Sequence, residues 1–291
     1  MKRKLVILLV FILTITGCSD NKRAMLYQLS NQSYSQMMSY IINCDNKTIV
    51  IDGGTVDDKD YLLNQIKKVS QNNIVDAWFI THFHKDHTGA LAAYLNENDE
   101  EIEIKEIYYN FPSESWINTY ENGRLTDLKT INSSLKKVTN KTIVHAKDEF
   151  NIGEINVKII RSFNNEITEN AGNNSSIVYK ITVNNKKILF LGDLGVEGGD
   201  ELIQNNKDDI QNMDYVQMSH HGQAGVNEDV YKVINPKYCL WPTTDWLWKN
   251  ESSVYKTDET KKWVENLNVK KNYIATGVSY AMNEEVGYGN I

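Results

Sequence analysis

Thr81-His82-Phe83-His84-Lys85-Asp86-His87-Thr88-Gly89-Ala90 sets three histidines and an aspartate within six positions, in a chain that has six histidines in all. His82 and His84 are two residues apart, so in an extended segment their side chains point the same way. Asp86 and His87 follow as the chain bends toward a helix and can address a second centre. Imidazole suits borderline metals such as zinc, and a carboxylate suits a second or harder ion. A solvated polar loop is the plain alternative, so a metal reading needs support from other parts of the chain.

That support comes from two further clusters, each at the end of a strand. Val75–Ile80, just before the histidine motif, reads as a buried strand, and Gly89–Leu95 as the start of a helix with Thr88 as its cap. Leu189-Phe190-Leu191-Gly192-Asp193 puts a carboxylate at the end of a strongly apolar strand. Turn formation alone explains Gly and Asp there, yet one carboxylate can also bridge two ions. Gln217-Met218-Ser219-His220-His221-Gly222 follows another strand. Gly195, Gly198 and Gly199 fit neither the P-loop nor the dinucleotide fingerprint.

Around these clusters the pattern opens with strands at Met25–Leu29, Met38–Asn43 and Thr48–Ile51, the last two forming a hairpin. Asp58–Val69 has helical spacing. Further strands are expected at Glu101–Tyr109, Thr142–His145 and Ile155–Ile160, with two helices between residues 113 and 138. Ser176–Val183 and Lys186–Leu191 form a hairpin about Asn184-Asn185. Helices near Glu197–Gln204, Asn227–Ile234 and Asp258–Leu267 then alternate with strands Tyr215–Met218, Lys237–Leu240 and Asn272–Ala275. This order predicts a layered α/β protein, and residues 24–291 read as one domain.

The chain resembles the metallo-β-lactamase superfamily of hydrolases. Ile49-Val50-Ile51-Asp52-Gly53-Gly54 looks like its first motif, and His82, His84, Asp86 and His87 fill its metal signature. Asp193 stands where the bridging aspartate stands, and His220-His221-Gly222 matches the last histidine motif. The resemblance implies a four-layer αβ/βα sandwich with two divalent ions, zinc favoured and manganese the alternative, and hydrolysis by a metal-bound hydroxide. His82 and His84 are assigned to the first ion, Asp86, His87 and His220 to the second, and Asp193 to both. His221, with Asp86, is given the catalytic role, donating a proton to the leaving group or holding a substrate oxygen. Asp52 is expected to orient the ligand loop.

One departure narrows the branch. The superfamily usually supplies a further histidine between the signature and the bridging aspartate. Here that region holds only His145, read as a packed histidine. Gly172-Asn173-Asn174-Ser175-Ser176-Ile177-Val178 takes its place and resembles the hydrolase domain of the bacterial competence protein ComEC, linked to phosphodiester hydrolysis of DNA. Asn174 is the residue expected to fill in for the missing ligand, and one ion is expected to bind more weakly.

The N-terminus bears on location. Met1-Lys2-Arg3-Lys4, the apolar run Leu5–Ile15 and Ile15-Thr16-Gly17-Cys18 resemble a bacterial lipoprotein signal. The mature chain would begin at a lipidated Cys18, with Ser19 to Arg23 as tether and the membrane's outer face as its place. Loss of Lys2, Arg3 and Lys4 takes the formal charge from −7 to −10. An acidic chain disfavours, without forbidding, nucleic acid as a partner; small or envelope phosphoesters are favoured. Cys44 and Cys239 are read as buried free thiols. Trp241, Trp246 and Trp248, like Tyr108, Tyr109 and Phe111, are read first as core, with a pocket wall or a cage for a quaternary ammonium as the alternative. A phosphodiester hydrolase leads. A lactone or amide (β-lactam-like) hydrolase and a non-catalytic lipid-anchored binding protein are the competing readings.

Overall fold

The computed structural model describes residues 24–97, 101–275 and 286–290. The signal, Cys18 and the tether lie outside them. Along the chain come β1 (Ala24–Gln28), β2 (Tyr40–Cys44), β3 (Lys47–Ile51), α1 (Lys59–Val69), β4 (Ile74–Val75), β5 (Ala77–Phe79), α2 (Lys85–Asn96), β6 (Glu103–Ile104) and β7 (Ile107–Tyr109). Next are α3 (Glu114–Tyr120), α4 (Leu125–Leu135), β8 (Lys141–Ile143), β9 (Glu149–Ile152), β10 (Ile155–Arg161), α5 (Ala171–Asn174), β11 (Val178–Val183) and β12 (Lys186–Phe190). The last are α6 (Val196–Ile210), β13 (Tyr215–Gln217), α7 (Glu228–Ile234), β14 (Tyr238–Trp241), α8 (Asp245–Trp248), α9 (Thr257–Glu265), β15 (Lys271–Ile274) and β16 (Val286–Asn290).

Two sheets dominate, ordered β16-β1-β2-β3-β5-β7-β8 and β15-β14-β13-β12-β11-β10-β9. Strand alternation builds the layers. Ile49 and Ile51 of β3 face the core between the sheets, while Val50 faces the helices outside. Ile188 and Phe190 of β12 face inward and Leu189 outward. Because successive side chains leave a strand on opposite faces, three apolar layers result: sheet against sheet, the first sheet against α1, α2 and α4, and the second against α6, α7 and α9. Each fully buried Leu, Ile or Val in them is worth about 1.5–3 kcal/mol. This is the four-layer αβ/βα sandwich of the metallo-β-lactamase fold.

The sheets are stitched at one edge. Tyr179 Oη donates to the Ile80 carbonyl at 2.6 Å, and Ile177 N donates to the Thr81 carbonyl at 2.8 Å. β3 and β5 run parallel, as do β12, β13 and β14. Their carboxyl ends therefore open on the same edge, where ligand sites of open α/β sheets form.

Several expectations shift. α2 begins at Lys85 with His84 as its cap residue, four positions earlier than Gly89. Thr88 lies inside the helix and its hydroxyl donates to the Phe83 and His84 carbonyls at 3.1 Å. β9 and β16 were not anticipated. His145 is exposed rather than packed. Cys44 and Cys239 are buried and not joined in a disulfide, as expected.

Candidate metal centre

The turn after β5 carries His82 and His84, and the first turn of α2 carries Asp86 and His87. Asp193 follows β12, and His220-His221 follow β13. All converge. His87 Nε2 lies 3.2 Å from Asp193 Oδ2, His221 Nε2 3.6 Å and His82 Nε2 3.9 Å. His221 Nε2 is also 3.3 Å from Asp86 Oδ2. Two groups can each hold an ion: Asp86, His87, Asp193 and His221, and His82, His84 and Asp193, with donor atoms in each group all within 4.8 Å of one another. Asp193 belongs to both, the place of a bridging carboxylate.

Hydrogen bonding shows that these residues fit metal. The Nε2 atoms of His82, His84, His87 and His221 and Oδ1 of Asp193 are buried with no hydrogen-bond partner. Buried polar atoms are nearly always paired, and five orphans converging on one point are what a cation would satisfy. The opposite ring nitrogens of His87 and His221 are held. His87 Nδ1 sits 2.8 Å from Asp52 Oδ2, and His221 Nδ1 sits 2.8 Å from the Pro242 carbonyl. Asp52 is itself clamped by Thr81, whose N–H and hydroxyl donate to its two oxygens at 2.7 Å. A ligand histidine oriented through its second nitrogen in this way presents a fixed tautomer and ring plane.

The electrostatics agree. Burial pulls the His84 imidazole down to about 3, and it pulls His82 well below the usual histidine range with help from His87 and His84. Both are thus neutral, the state a ligand needs. Burial would raise Asp193, but the imidazoles of His87, His221 and His220 hold it well below the usual carboxylate range. Burial would likewise lower His87, but Asp193 and Asp52 outweigh it and hold His87 well above its ordinary value. The carboxylates around His87 thus favour positive charge on that side of the pocket, a charge that a metal ion would supply in place of the proton.

Two assignments are corrected. His221, not His220, joins the ligand cluster. Both residues adopt left-handed backbone, φ 48° and 56°, a conformation that costs about 1–3 kcal/mol for each residue other than glycine and clusters at functional sites. This turn sends His221 inward, fully buried, and leaves His220 part-exposed with Nε2 3.9 Å from Asp193 Oδ2. His221 is then a ligand candidate rather than a free proton donor, and His220 is the one that faces solvent. Asn174 does not point at the centre either. Its Oδ1 accepts from Gly195 N and Gly198 N at 2.9 and 3.1 Å, and its amide donates to the Glu169 carbonyl and Glu197. It ties α5 to the start of α6. The neighbouring Asn173 has the buried, unpartnered amide oxygen.

Some roles carried no signal in the sequence. Gly172 of α5 lies so close to His84 that a Cβ there would stand 2.4 Å from Nε2 and 2.8 Å from Glu121 Oε2. Glu121, just past α3, accepts a hydrogen bond from Gly172 N. Beside Asp86 a cavity of about 300 Å³ is lined by Lys85, Arg124, Tyr34 and Trp246 among others. Lys85 sits in the quoted motif, but its meeting with Arg124 and Tyr34 depends on the tertiary fold. The three tryptophans divide: Trp241 is core, Trp248 packs edge-on against it at 5.2 Å, and Trp246 lines this cavity.

Among solved structures the fold resembles the metallo-beta-lactamase fold protein YhfI of Bacillus subtilis, with a TM-score of 0.54 at 12% identity over 87% of this chain and 97% of that one. It also resembles CmlA, a diiron β-hydroxylase of Streptomyces venezuelae, with a TM-score of 0.52 at 12% identity over 87% of this chain and 53% of that one. At such identities the likeness shows the fold alone. No curated protein is a significant match to the sequence. The family model of the metallo-beta-lactamase superfamily, however, matches residues 35–238, a span that takes in every donor of the cluster, and the chain therefore belongs to that superfamily of metal-dependent hydrolases.

Proposed function

We propose that the protein hydrolyses phosphoesters, phosphodiesters foremost, with two divalent ions, zinc in preference to manganese. The observation that carries this reading is the cavity beside Asp86, which sets the cations of Lys85 and Arg124 against one wall of the candidate metal centre. A phosphodiester is an anion, and two cations next to the donor cluster give it a place to bind. His82 and His84 would hold the first ion, His87, Asp86 and His221 the second, and Asp193 both. Bound ions supply Lewis acidity and a water acidified toward neutral pH. Asp52 and Thr81 keep His87 in register for its ion. Arg124 is held only loosely by Glu121 and Asp127, at 3.9 and 3.6 Å, so its guanidinium can swing onto a phosphate oxygen. His220, part-exposed with Nε2 3.9 Å from Asp193 Oδ2, would donate a proton to the departing oxygen.

The stretch Gly172–Val178, with Leu191-Gly192-Asp193 and His220-His221-Gly222, supports placing the chain in the ComEC-like branch. The N-terminal Met1–Cys18 pattern supports a lipid anchor at Cys18 and a site outside the cell membrane. The branch favours a phosphodiester, whereas the anchor does not bear on the chemistry above. The test is purified protein loaded with zinc or manganese on phosphodiester, phosphomonoester and β-lactam substrates, with and without a chelator. Chelator-sensitive phosphodiester turnover is the expected result. β-Lactam turnover without it would overturn the proposal, and inertness with both ions bound would leave a binding protein.

A further inference from the structure

We infer that the phosphoester taken by this site is a small one carrying a planar ring, and that the ring lies on a platform formed by Tyr34 and Trp246. The inference rests on the phosphoester reading above. The two rings stack with centroids 5.5 Å apart and planes 16° from parallel. Trp246 Nε1 donates to the Tyr34 carbonyl at 2.9 Å, and Tyr255 packs on Trp246 at 5.5 Å. The indole is thereby fixed from two sides. Tyr34 is 77% exposed, although tyrosine usually buries most of its area. An aromatic ring held rigidly against a second one, with its outer face open to water, is a stacking surface in search of a third ring.

Its location gives the surface a purpose. Tyr34 and Trp246 line the same cavity as Asp86, Lys85 and Arg124. A second cavity of about 430 Å³ shares Ser35, Thr55 and Lys85 with it and extends along α2. One occupant can therefore place a phosphate between the two cations and the metal donors while its ring covers Tyr34. An indole wall can also cage a quaternary ammonium, but Lys85 and Arg124 repel a second cation in the same space. A neutral ring joined to an anionic phosphate matches the charges and the shape together. The substrate is small because two cations in an acidic chain can neutralise few phosphates, whereas a polymer grips its binder through many.

Stacking a base on an aromatic side chain is worth roughly 5- to 150-fold in affinity. The experiment measures, by calorimetry on the metal-loaded protein, the dissociation constants of adenosine 5′-monophosphate, ribose 5-phosphate and choline phosphate. The nucleotide is expected to bind at least about fivefold tighter than the sugar phosphate. In Tyr34→Ala and in Trp246→Ala that ratio falls toward one. Tyr34 is a surface ring, so its variant tests the platform even if the tryptophan variant does not fold. Equal affinities in the unmodified protein, or a ratio untouched by Tyr34→Ala, would overturn the inference while phosphodiester turnover kept the parent reading intact. Tightest binding of choline phosphate would overturn it too and give the platform to a cation. Failure to bind any of the three, together with no phosphodiester turnover, would sink the parent reading itself.

Discussion

Gly172→Ala is the smallest change that should remove one ion and spare the other. The new methyl carbon would stand 2.4 Å from His84 Nε2 and 2.8 Å from Glu121 Oε2. Comfortable contact needs about 3.5 Å, so the His84 ring or α5 must retreat by about 1 Å. Metal–ligand distances tolerate only about ±0.2 Å. His84 is one of three donors in the first group and is absent from the second. Elemental analysis after gel filtration should show one equivalent of metal lost. Overpacking of this kind costs about 1–3 kcal/mol, which in a domain of this size lowers the melting temperature by about 2–4 °C per kcal/mol. A double-mutant cycle sharpens the test. In a His84→Ala background the clashing ring is gone, so adding Gly172→Ala should cost much less stability than it does alone, a coupling of 0.5–3 kcal/mol being usual for residues in contact. Two tightly held equivalents in Gly172→Ala, or full additivity with His84→Ala, would refute the placement of His84 at the first centre.

Asp193→Ala removes the one carboxylate shared by both donor groups, so metal content should fall toward zero and chelator-sensitive turnover should vanish. His221→Ala should lose the second ion, whereas His220→Ala should keep both and lower kcat by about 10²- to 10⁴-fold; equal metal loss in the two would return His220 to the ligand set. Asp52→Asn leaves His87 without its carboxylate and should weaken metal affinity about 10- to 100-fold, read by competition with a chelating dye. Asp214 lies at the far end of β13, where burial would raise its carboxyl but Lys237 and the Lys187 N–H hold it low. A depressed carboxylate stabilises the fold above its unfolded value, about 3.8, and loses that contribution as pH falls toward its folded value. Because Lys237 is half exposed, the effect is under about 1 kcal/mol. Asp214→Asn should flatten the stability profile below pH 4 and leave the metal centre untouched.

The layering was legible because strand alternation was strong: Ile49, Val50 and Ile51, or Ile188, Leu189 and Phe190, sort themselves into two faces by period alone. The donor cluster was legible because each polar group ends an apolar strand. What escaped was set by backbone or by tertiary contact. The order of His220 and His221 turns on two successive left-handed residues, which no pattern of side chains encodes. Asn174 drew attention by its type, but the amides of Gly195 and Gly198 had already claimed its oxygen. Thr88 looked like a cap because the helix was expected to begin at glycine; the metal motif itself forms the first turn, which brings Asp86 and His87 onto one wall. Trp246 stood out within its tryptophan cluster, but Tyr34 meets it only through folding, and nothing local marks the tyrosine.

The two candidate donor groups are unequal, and one glycine stands beside the smaller of them. The second group draws four donors from three segments. The first has His82, His84 and the shared Asp193. α5 brings its backbone against His84, and the close approach leaves no room at position 172 for a side chain. What remains nearby is oxygen: the carboxylate of Glu121 on Gly172 N, and the buried, unpartnered amide oxygen of the adjacent Asn173. Replacing imidazole with oxygen donors shifts a site away from borderline ions and toward harder ones. With one donor fewer and oxygen atoms beside it, the first centre is expected to be the weaker and the less zinc-selective of the two. Substituting manganese should exchange that ion first, so that metal content and turnover respond to the manganese supply before the second centre is disturbed.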